Sequence, residues 1–466
     1  MKKLFGTDGI RGRANEGVII PERLVKIGRA VAYYFQRHGR PAPEAAPPFE
    51  SPYRPFNPYV RDSIVSHPFT VVMGKDTRLS GYMIESALVA GLVAQGAHVI
   101  MLGPAPTPAV ALLTRSLRAD VGIMISASHN PYYDNGIKFF DATGTKFTEE
   151  VEQKIEEILQ ADAFPPSAEC GKSMRLDDAV GRYVEFAKAT FPKGRTLDGL
   201  KIVLDCANGA AYKVAPRVFW ELGACVVPIA DAPNGRNINE NCGALHPENL
   251  FSHLQTSQAD VGLSLDGDAD RLVLMTPKGN IVNGDQILAL LAGKMHKEGT
   301  LRGGVVSTNM SNLGLKMHLK TLEIPHFVAP VGDKNVLKMM QQTGSNLGGE
   351  ESGHILLSDA NTTGDGIIAA LHVLGILGEN KQALDEVFPV FQPVPQIVRN
   401  FPLGRGITDE QLRVLREKAL DFLGEQSDVV IRKSGTEPVL RIMIQSIDAS
   451  LLETFFEEIS TVFFAA

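Results

Sequence analysis

Residues 122–131 read Gly-Ile-Met-Ile-Ser-Ala-Ser-His-Asn-Pro, an apolar run that stops abruptly in small and polar residues. The run 121–125 has the length and composition of a short buried strand. Ser128 is therefore predicted on a tight turn just beyond the carboxyl end of a strand, where open α/β sheets place their ligands. Taken alone, the stretch fits an ordinary turn with a solvated serine better, because a serine hydroxyl needs a base, a metal or a strong field to become a nucleophile.

An alternation of strands and helices surrounds this stretch. Strands are predicted at 99–102, 201–205, 225–229, 272–275 and 305–308, in the run 259–265, and in the first part of 71–78, where a loop follows, with helical patterns between them. This alternation predicts mostly parallel sheets with crossover helices. The end of the chain differs, because a helix near 408–423 is followed by two strands and a last amphipathic helix, which is typical of a small α+β domain.

A short internal repeat links two of these strands. Residues 119–122 and 259–262 both read Ala-Asp-Val-Gly. Ser128 stands nine residues after the alanine of the first copy, and Asp268 stands nine residues after the alanine of the second. Two copies of one structural unit would place the serine and an acidic loop at equivalent strand ends.

Length and composition restrict the class of protein. The 466 residues suit three or four domains, and 44% hydrophobic with 21% charged residues is typical of a globular protein. The net charge of −7 argues against non-specific nucleic-acid binding. We expect no membrane partner and a cytoplasmic location, because the N-terminus turns polar too early for a signal peptide and no run is long enough to span a bilayer. The four cysteines have no CxxC spacing and are predicted to be buried thiols without a metal.

Three carboxylates follow the second copy of the repeat at alternate positions, Asp266, Asp268 and Asp270. Anions so close together repel one another unless a cation joins them, and a hard, oxygen-preferring ion such as Mg²⁺ is the natural partner. The loop is not an EF-hand, because its sixth position is Arg271 and its twelfth is Pro277. An exposed acidic turn is the alternative, but apolar strands predicted on both sides favour the metal site.

Three further loops are rich in glycine and polar residues. The N-terminal loop 5–12 contains three glycines and projects Arg11. The loop 349–354 carries Glu350, Ser352 and His354, groups that suit sugar hydroxyls, although a lone histidine is more often structural. Near the C-terminus, two cations, two hydroxyls and a glycine compose a phosphate cradle, to which Arg441 can add charge. A solvated basic hairpin is the alternative for this last segment, whose residues are Arg432, Lys433, Ser434, Gly435 and Thr436.

Together these segments resemble the α-D-phosphohexomutase family. The resemblance covers essentially the whole chain in the family's order, and it rests on residues 5–12, 126–131, 136–138, 266–271, 349–354 and 432–438. Two departures stand out. Ala269 occupies a position where the metal loop often has glycine, and the proline-rich segment 41–68 has no counterpart in the family pattern.

The resemblance implies three similar α/β domains with mixed, mostly parallel sheets and a C-terminal α+β domain, arranged around a central cleft. The boundaries that we predict are 1–178 for the domain with the phosphoserine loop and the insertion 41–68, 179–278 for the metal loop, 279–394 for the sugar-binding loop, and 395–466 for the phosphate-binding loop. No motif fixes the oligomeric state, and a homodimer through the first domain is compatible with the pattern.

The resemblance also implies the chemistry. Ser128 would be carried as phosphoserine, and its phosphate with Asp266, Asp268 and Asp270 would bind one Mg²⁺ per chain. The small-molecule substrate would be a sugar phosphate: glucosamine 6-phosphate would become glucosamine 1-phosphate through a 1,6-bisphosphate, which also serves as primer. The product would supply UDP-N-acetylglucosamine and peptidoglycan synthesis.

Further roles follow from the same reading. Arg11 and Lys138 would neutralise charge at the serine, and Arg271 would support the metal loop. Glu350 and Ser352 would bind the sugar. The phosphate that is not transferred would be held by Arg432, Ser434, Gly435, Thr436 and Arg441.

Three alternatives stay open from sequence. The residues do not rank Lys138, His129 and His354 as proton carriers. A phosphoglucomutase or phosphomannomutase would share every loop, so the preference at the sugar 2-position is not fixed. A metal-dependent sugar-phosphate phosphatase is a further alternative, and it would release inorganic phosphate steadily.

Overall fold

The computed structural model describes residues 4–6, 8–38, 69–162, 164–165, 167–380, 383–402, 408–424, 426–433 and 439–463. The predicted insertion 41–68 lies outside the described residues. The chain divides into two compact units, one formed by Met1–Ile281 with His354–Leu384 and the other by Val282–Gly353 with Asp385–Ala466. The four domain boundaries predicted above stay a prediction.

The first part of the first unit contains a six-stranded mixed sheet. Its strand order is β1-β5-β4-β2-β3-β6, with β4, β2, β3 and β6 parallel and β5 antiparallel to both β4 and β1. The elements are β1 (Ile10–Arg13), α1 (Pro21–His38), β2 (Thr70–Lys75), α2 (Ser80–Ala94), β3 (His98–Pro104), α3 (Thr107–Ser116), β4 (Val121–Ile125), β5 (Asp134–Asp141), α4 (Glu149–Ala161) and β6 (Ser173–Arg175).

Helix α1 buries the apolar face that its sequence predicts, through Leu24, Ile27 and Val31. Its one glycine lets α2 approach closely, because a β-carbon on Gly28 would lie 2.6 Å from the Leu88 carbonyl oxygen. The two helices cover the sheet as one packed layer, and their apolar side chains share a core with strands β2, β3 and β4.

A second mixed sheet follows in the first unit, with the order β11-β10-β9-β7-β8. Strand β9 runs parallel to β7 and antiparallel to β10, and β7 runs parallel to β8. The elements are α5 (Ala179–Ala189), β7 (Lys201–Asp205), α6 (Val214–Glu221), β8 (Cys225–Ile229), α7 (Asn249–Ser257), β9 (Val261–Leu265), β10 (Leu272–Met275) and β11 (Ile281–Val282).

The internal repeat marks equivalent places in these two sheets, as predicted. In the first sheet the Asp120 carboxylate accepts a hydrogen bond of 2.8 Å from the backbone N–H of Thr70, just before β4 begins. In the second sheet the Asp260 carboxylate accepts one of 2.7 Å from Lys201, just before β9 begins. Each aspartate thus fixes the start of a buried strand against its parallel neighbour, so the loops that follow β4 and β9 leave their sheets at matching positions.

The second unit contains a parallel arrangement, in which β12 pairs with both β13 and β14, and a separate antiparallel sheet of order β16-β18-β17. Thr408 and Gln411 form a capping box at the start of α13. The remaining elements of the chain are α8 (Gly284–Lys297), β12 (Val305–Thr308), α9 (Leu313–Thr321), β13 (His326–Ala329), α10 (Asp333–Thr343), β14 (Leu347–Gly349), β15 (Ile355–Leu357), α11 (Gly366–Asn380), α12 (Leu384–Val387), β16 (Gln396–Pro402), α13 (Asp409–Leu423), β17 (Ser427–Lys433), β18 (Val439–Ser446) and α14 (Ser450–Phe463).

These sheets confirm the predicted α/β class with mixed sheets and a C-terminal α+β part. The prediction of buried thiols is wrong for Cys170 and Cys225, which are exposed, and correct for Cys206 and Cys242. The error arose because cysteine is usually buried, whereas exposure depends on which face of an element meets the core. Within the described part of the chain, no helix combines the length and the apolar composition needed to cross a bilayer.

Candidate functional site

Ser128 lies three residues beyond the end of β4, in the left-handed backbone region with φ of 52°. Its backbone N–H donates a 2.9 Å hydrogen bond to the Ser126 hydroxyl, which in turn donates one of 2.6 Å to the Asp76 carboxylate. Non-glycine residues seldom adopt a positive φ, and they keep it only when their surroundings hold it. The loop therefore presents Ser128 in a fixed orientation.

The Ser128 side chain points at the acidic loop of the second sheet. Its hydroxyl donates a 2.6 Å hydrogen bond to Asp266 Oδ2, although the two residues are 138 positions apart. Only 1% of Ser128 is exposed. The two loops touch closely, because a β-carbon on Gly267 would lie 2.6 Å from the Ser128 carbonyl oxygen. The glycine in the acidic loop thus permits the approach of the serine loop.

The three aspartates of the acidic loop form one buried cluster. Asp266, Asp268 and Asp270 each offer a carboxylate oxygen, and these oxygens lie within 4.8 Å of one another. Burial, and then the charges of Asp270 and Asp268, raise the pKa of Asp266 to about 8. In the described part of the chain, Asp268 Oδ1 is buried without a hydrogen-bond partner. Converging, repelling carboxylates with an unpartnered oxygen fit a hard divalent cation.

Lys138, on β5, supplies positive charge to the same cluster. Its ammonium lies 2.8 Å from Asp268 Oδ2 and 2.9 Å from Asp270 Oδ2. Burial alone would lower the pKa of Lys138, but Asp268, Asp270 and Asp8 outweigh it and hold that pKa well above its usual value. Lys138 is therefore a charged lysine between two metal-ligand candidates.

The N-terminal loop contributes a second charged cluster, centred on Asp8. The carboxylate of Asp8 accepts hydrogen bonds from Arg11 and Lys146, and Lys138 lies 3.4 Å away. Burial opposes ionisation, but Lys138, Lys146 and Arg11 outweigh it and hold the pKa of Asp8 well below its usual range. Asp8 thus orients Arg11 beside the acidic cluster as a fixed cation.

Two further side chains reach the acidic loop. His354 Nδ1 lies 3.5 Å from Asp270 Oδ1, and a β-carbon on Gly364 would lie 2.5 Å from the His354 ring. Arg271 donates its backbone N–H to Asp266 Oδ1 at 3.3 Å, and its guanidinium lies 4.0 Å from Asp270 Oδ1. His354 and Arg271 therefore both contact Asp270, and Arg271 also contacts Asp266.

His129 lies beside the serine, with Nδ1 3.4 Å from the Ser128 hydroxyl oxygen. Burial, followed by the nearby Arg271 and Arg11, lowers the pKa of His129 to about 3. The imidazole is neutral near pH 7 for that reason, so it can accept or relay a proton but adds no positive charge at the serine.

The remaining predicted residues belong to the second unit. Glu350 accepts a 2.9 Å hydrogen bond from the backbone N–H of Gly332, and Ser352 is exposed. Arg432 stands directly opposite Arg441 in the pairing of β17 with β18. Burial, and then Arg441, lower the pKa of Arg432, which is the expected effect of two cations side by side. Residues 434–436 lie outside the described residues.

Several contacts at the site were missed from sequence. Thr107 donates both its hydroxyl, at 2.5 Å to Oδ2, and its backbone N–H, at 3.0 Å to the carbonyl, to Asp268. Arg78 and Asn239 hold the serine loop through its carbonyl oxygens. Asp8 could have been predicted from the sequence, because it lies inside the glycine-rich N-terminal loop. The other residues carry no motif, and only the packing of loops brings them to the site.

Family models match the chain in four consecutive parts. They describe phosphoglucomutase/phosphomannomutase, with α/β/α domain I over residues 59–166, domain II over 181–279, domain III over 283–394 and the C-terminal domain over 379–462. Together these matches cover most of the chain.

Relatives and solved structures agree with the family models. A phosphoglucosamine mutase of Mesorhizobium japonicum is 47% identical over 98% of this chain and 96% of its own length. A phosphoglucomutase/phosphomannomutase family protein of Burkholderia thailandensis superposes with a TM-score of 0.80 at 23% identity, over 99% of this chain and 97% of that one. An Aspergillus fumigatus N-acetylphosphoglucosamine mutase, solved with GlcNAc-6P and magnesium, superposes with a TM-score of 0.59 at 18% identity, over 76% and 91%. The chain belongs to the phosphoglucomutase/phosphomannomutase family of sugar-phosphate isomerases.

Proposed function

We propose that the chain interconverts glucosamine 6-phosphate and glucosamine 1-phosphate, with Ser128 as phosphoryl carrier and a 1,6-bisphosphate as intermediate. The observation that carries the proposal is the hydrogen bond of 2.6 Å that aims the buried Ser128 hydroxyl at Asp266, inside a cluster of three carboxylates. The choice of sugar is supported by the name of the Mesorhizobium japonicum relative. The product would supply UDP-N-acetylglucosamine and peptidoglycan synthesis.

Phosphoryl transfer depends mainly on positioning and on neutralising charge, because its transition state spreads negative charge over the phosphoryl oxygens. Asp266, Asp268 and Asp270, with the phosphate on Ser128, would hold one Mg²⁺ per chain. The ion would supply positive charge to the transferring phosphoryl group. Two features support this: Asp268 Oδ1 is buried with no hydrogen-bond partner among the described residues, and burial with the charges of Asp270 and Asp268 raises the pKa of Asp266 to about 8.

The chain's own cations would act on the same group. Arg11 is held by Asp8, and Lys138 is held by Asp268 and Asp270, so both are fixed before a substrate arrives. Fixed charges cost no reorganisation when negative charge develops in the transition state. Arg271 would keep the acidic loop in place through its backbone bond to Asp266.

A proton must leave the sugar hydroxyl as it attacks the phosphoryl group. Three groups beside the serine and the acidic loop are candidates for this proton, and charge argues between two of them. Lys138 has a pKa well above its usual value, so it is protonated and cannot accept a proton. His129 is neutral near pH 7, but a pKa of about 3 makes it a weak base. His354, beside Asp270, stays a second proton carrier in this proposal.

The second unit would bind the part of the substrate that does not react. Glu350 and Ser352 would contact sugar hydroxyls. The stationary phosphate would bind to Arg432 and Arg441 together with the loop residues Ser434, Gly435 and Thr436. Two arginines placed opposite each other repel, and burial, followed by the charge of Arg441, lowers the pKa of Arg432. A dianionic phosphate between them would relieve that repulsion.

A second function is favoured by the family models, whose description names phosphoglucomutase and phosphomannomutase. Those enzymes would use the same serine and the same acidic loop on glucose or mannose phosphates. The three activities differ at the sugar 2-position, so comparing kcat/KM for glucosamine, glucose and mannose 6-phosphates separates them. We expect the highest value with glucosamine 6-phosphate. The highest value with a neutral sugar would contradict the proposal.

The phosphoserine cycle has its own test. Enzyme treated with phosphatase should be nearly inactive on glucosamine 6-phosphate, because no phosphoryl group is available to start the cycle. Catalytic amounts of a hexose 1,6-bisphosphate should restore activity, and glucose 6-phosphate at the same concentration should not. Full initial velocity without the bisphosphate would show that Ser128 is no obligatory carrier, and steady release of inorganic phosphate would indicate a phosphatase instead. A homodimer and a cytoplasmic location stay predictions.

A further inference from the structure

The carbonyl oxygens of the serine loop are held by two side chains from different parts of the first unit. Asn239 Nδ2 donates hydrogen bonds of 2.9 Å to the Ser128 carbonyl and 3.1 Å to the Asn130 carbonyl. Arg78 donates to the same two carbonyls, with a distance of 3.3 Å to Ser128. These bonds go to the carbonyls and not to the Ser128 hydroxyl, so both side chains reach the serine through its backbone.

Arg78 closes a ring of hydrogen bonds around Ser128. The Ser128 N–H donates to the Ser126 hydroxyl, this hydroxyl donates to Asp76, Arg78 donates to Asp76, and Arg78 also donates to the Ser128 carbonyl. Arg78 is fully buried. The ring therefore holds the amide and the carbonyl of the residue whose φ is 52°.

Asn239 reaches the same carbonyls from the segment between β8 and α7. One contact holds that segment against the residues that follow β2, because Leu79 N–H donates to the Gly235 carbonyl at 2.9 Å. A second contact joins the same residues to the loop after β7, where the Thr77 hydroxyl donates to the Asn208 carbonyl at 2.5 Å. The serine loop, built on the first sheet, is thus held from outside by a segment of the second sheet's part of the chain.

We propose that Arg78 and Asn239 are positioning residues for phosphoryl transfer, which act by keeping Ser128 in its left-handed conformation. This inference rests on the proposed function. A non-glycine residue in the left-handed region is strained, so without these donors the loop relaxes and the Ser128 hydroxyl leaves Asp266. Because misplacement of a reacting group by about 1 Å can cost roughly 100-fold in rate, the hydrogen bonds to the backbone govern turnover.

Asn239→Gly tests the proposal, with Asn241→Gly as its matched control. Both asparagines have positive φ, 57° and 49°, so glycine suits both backbones and the two changes are equal in that respect. Asn241 is exposed, and its carbonyl accepts a bond from Asn249 that glycine retains. Only the first variant removes the two bonds to the serine loop.

We expect Asn239→Gly to lower kcat about 10- to 100-fold, with KM for the sugar phosphate and the melting temperature matching those of Asn241→Gly. The single-turnover phosphorylation of stripped enzyme by a hexose 1,6-bisphosphate should slow by the same factor. Equal kcat in the two variants would overturn the proposal, and so would a loss of kcat that is matched by a loss of folded protein.

A double-mutant cycle adds a second check. Arg78→Lys keeps a cation beside Asp76. A single ammonium then replaces the guanidinium that donates to one carboxylate and two carbonyls. Since both residues hold the same carbonyls, the effects of Arg78→Lys and Asn239→Gly on log kcat should be less than additive. Strict additivity would show that the two residues act independently.

One measurement separates failure of this inference from failure of the proposed function. Hydrogen–deuterium exchange of the peptide containing Ser128 needs no catalysis, and it should speed up in Asn239→Gly relative to Asn241→Gly. If exchange speeds up but wild-type Ser128 never becomes phosphorylated, the proposed function fails while the backbone support stands. If exchange is unchanged, the positioning role fails whatever the activity.

Discussion

Replacing Lys138 by methionine tests the charge balance of the acidic cluster. The ammonium is 1% exposed and lies within hydrogen-bond distance of Asp268 and Asp270. Methionine keeps an unbranched chain of similar length but removes the charge, so two buried carboxylates lose their common partner. Removing one member of a buried ion pair typically costs about 3–5 kcal/mol. A domain of about 150–250 residues loses roughly 2–4 °C per kcal/mol. We therefore expect the melting temperature in EDTA to fall on the order of 10 °C.

Magnesium should restore much of that loss. A cation that binds only the folded protein stabilises it by about 2.7 kcal/mol at 100 times its dissociation constant. In the wild type the Lys138 ammonium already neutralises Asp268 and Asp270, so added Mg²⁺ should stabilise the Lys138→Met variant more than the wild type. Differential scanning calorimetry in EDTA and in a Mg²⁺ series measures both effects.

Lys75→Met is the matched control for this experiment. Lys75 is also buried and pairs with one carboxylate, Glu85, at 2.5 Å. Its loss should lower the melting temperature, but Mg²⁺ should stabilise this variant no more than it stabilises the wild type. The reasoning is refuted if Lys138→Met is as stable as the wild type in EDTA, or if Mg²⁺ raises all three melting temperatures equally.

Three further outcomes are expected. Ser128→Ala should abolish mutase activity, and intact-mass spectrometry should find the added phosphoryl group in the wild type only; near-normal activity would exclude the carrier role. Asp268→Asn should weaken Mg²⁺ binding in calorimetric titration and lower turnover without unfolding, because one anionic ligand is lost at a cost of several kcal/mol at most; full wild-type activity in EDTA would argue against the metal. Burial, and then Glu351, raise the pKa of Asp285 to about 7. A carboxyl whose pKa is raised on folding destabilises the protein as pH rises from its unfolded value through that pKa. Asp285→Asn should therefore raise the melting temperature at pH 8 and change it little at pH 4, and an equal shift at both pH values would contradict the assignment.

The local elements and the chemical character of the loops could be predicted from the amino-acid sequence. Strands β4 and β10 begin and end where the apolar runs predicted, and the repeated Ala-Asp-Val-Gly marked two equivalent strand starts. These features are readable because strand alternation, helical periodicity and turn-forming residues depend on neighbours within a few positions. The alternate spacing of Asp266, Asp268 and Asp270 similarly predicted their clustering, since a single short turn carries all three.

Which loops lie next to each other, and which charged side chains then interact, depends on the tertiary structure. Lys138 pairs with Asp268 across 130 positions, Ser128 with Asp266 across 138, and Asn239 with Ser128 across 111. The left-handed conformation of Ser128 and the neutral state of His129 likewise follow from long-range packing. Burial and Coulomb interactions depend on distance in space, and distant segments of the chain become neighbours only when two sheets bring their strand ends together.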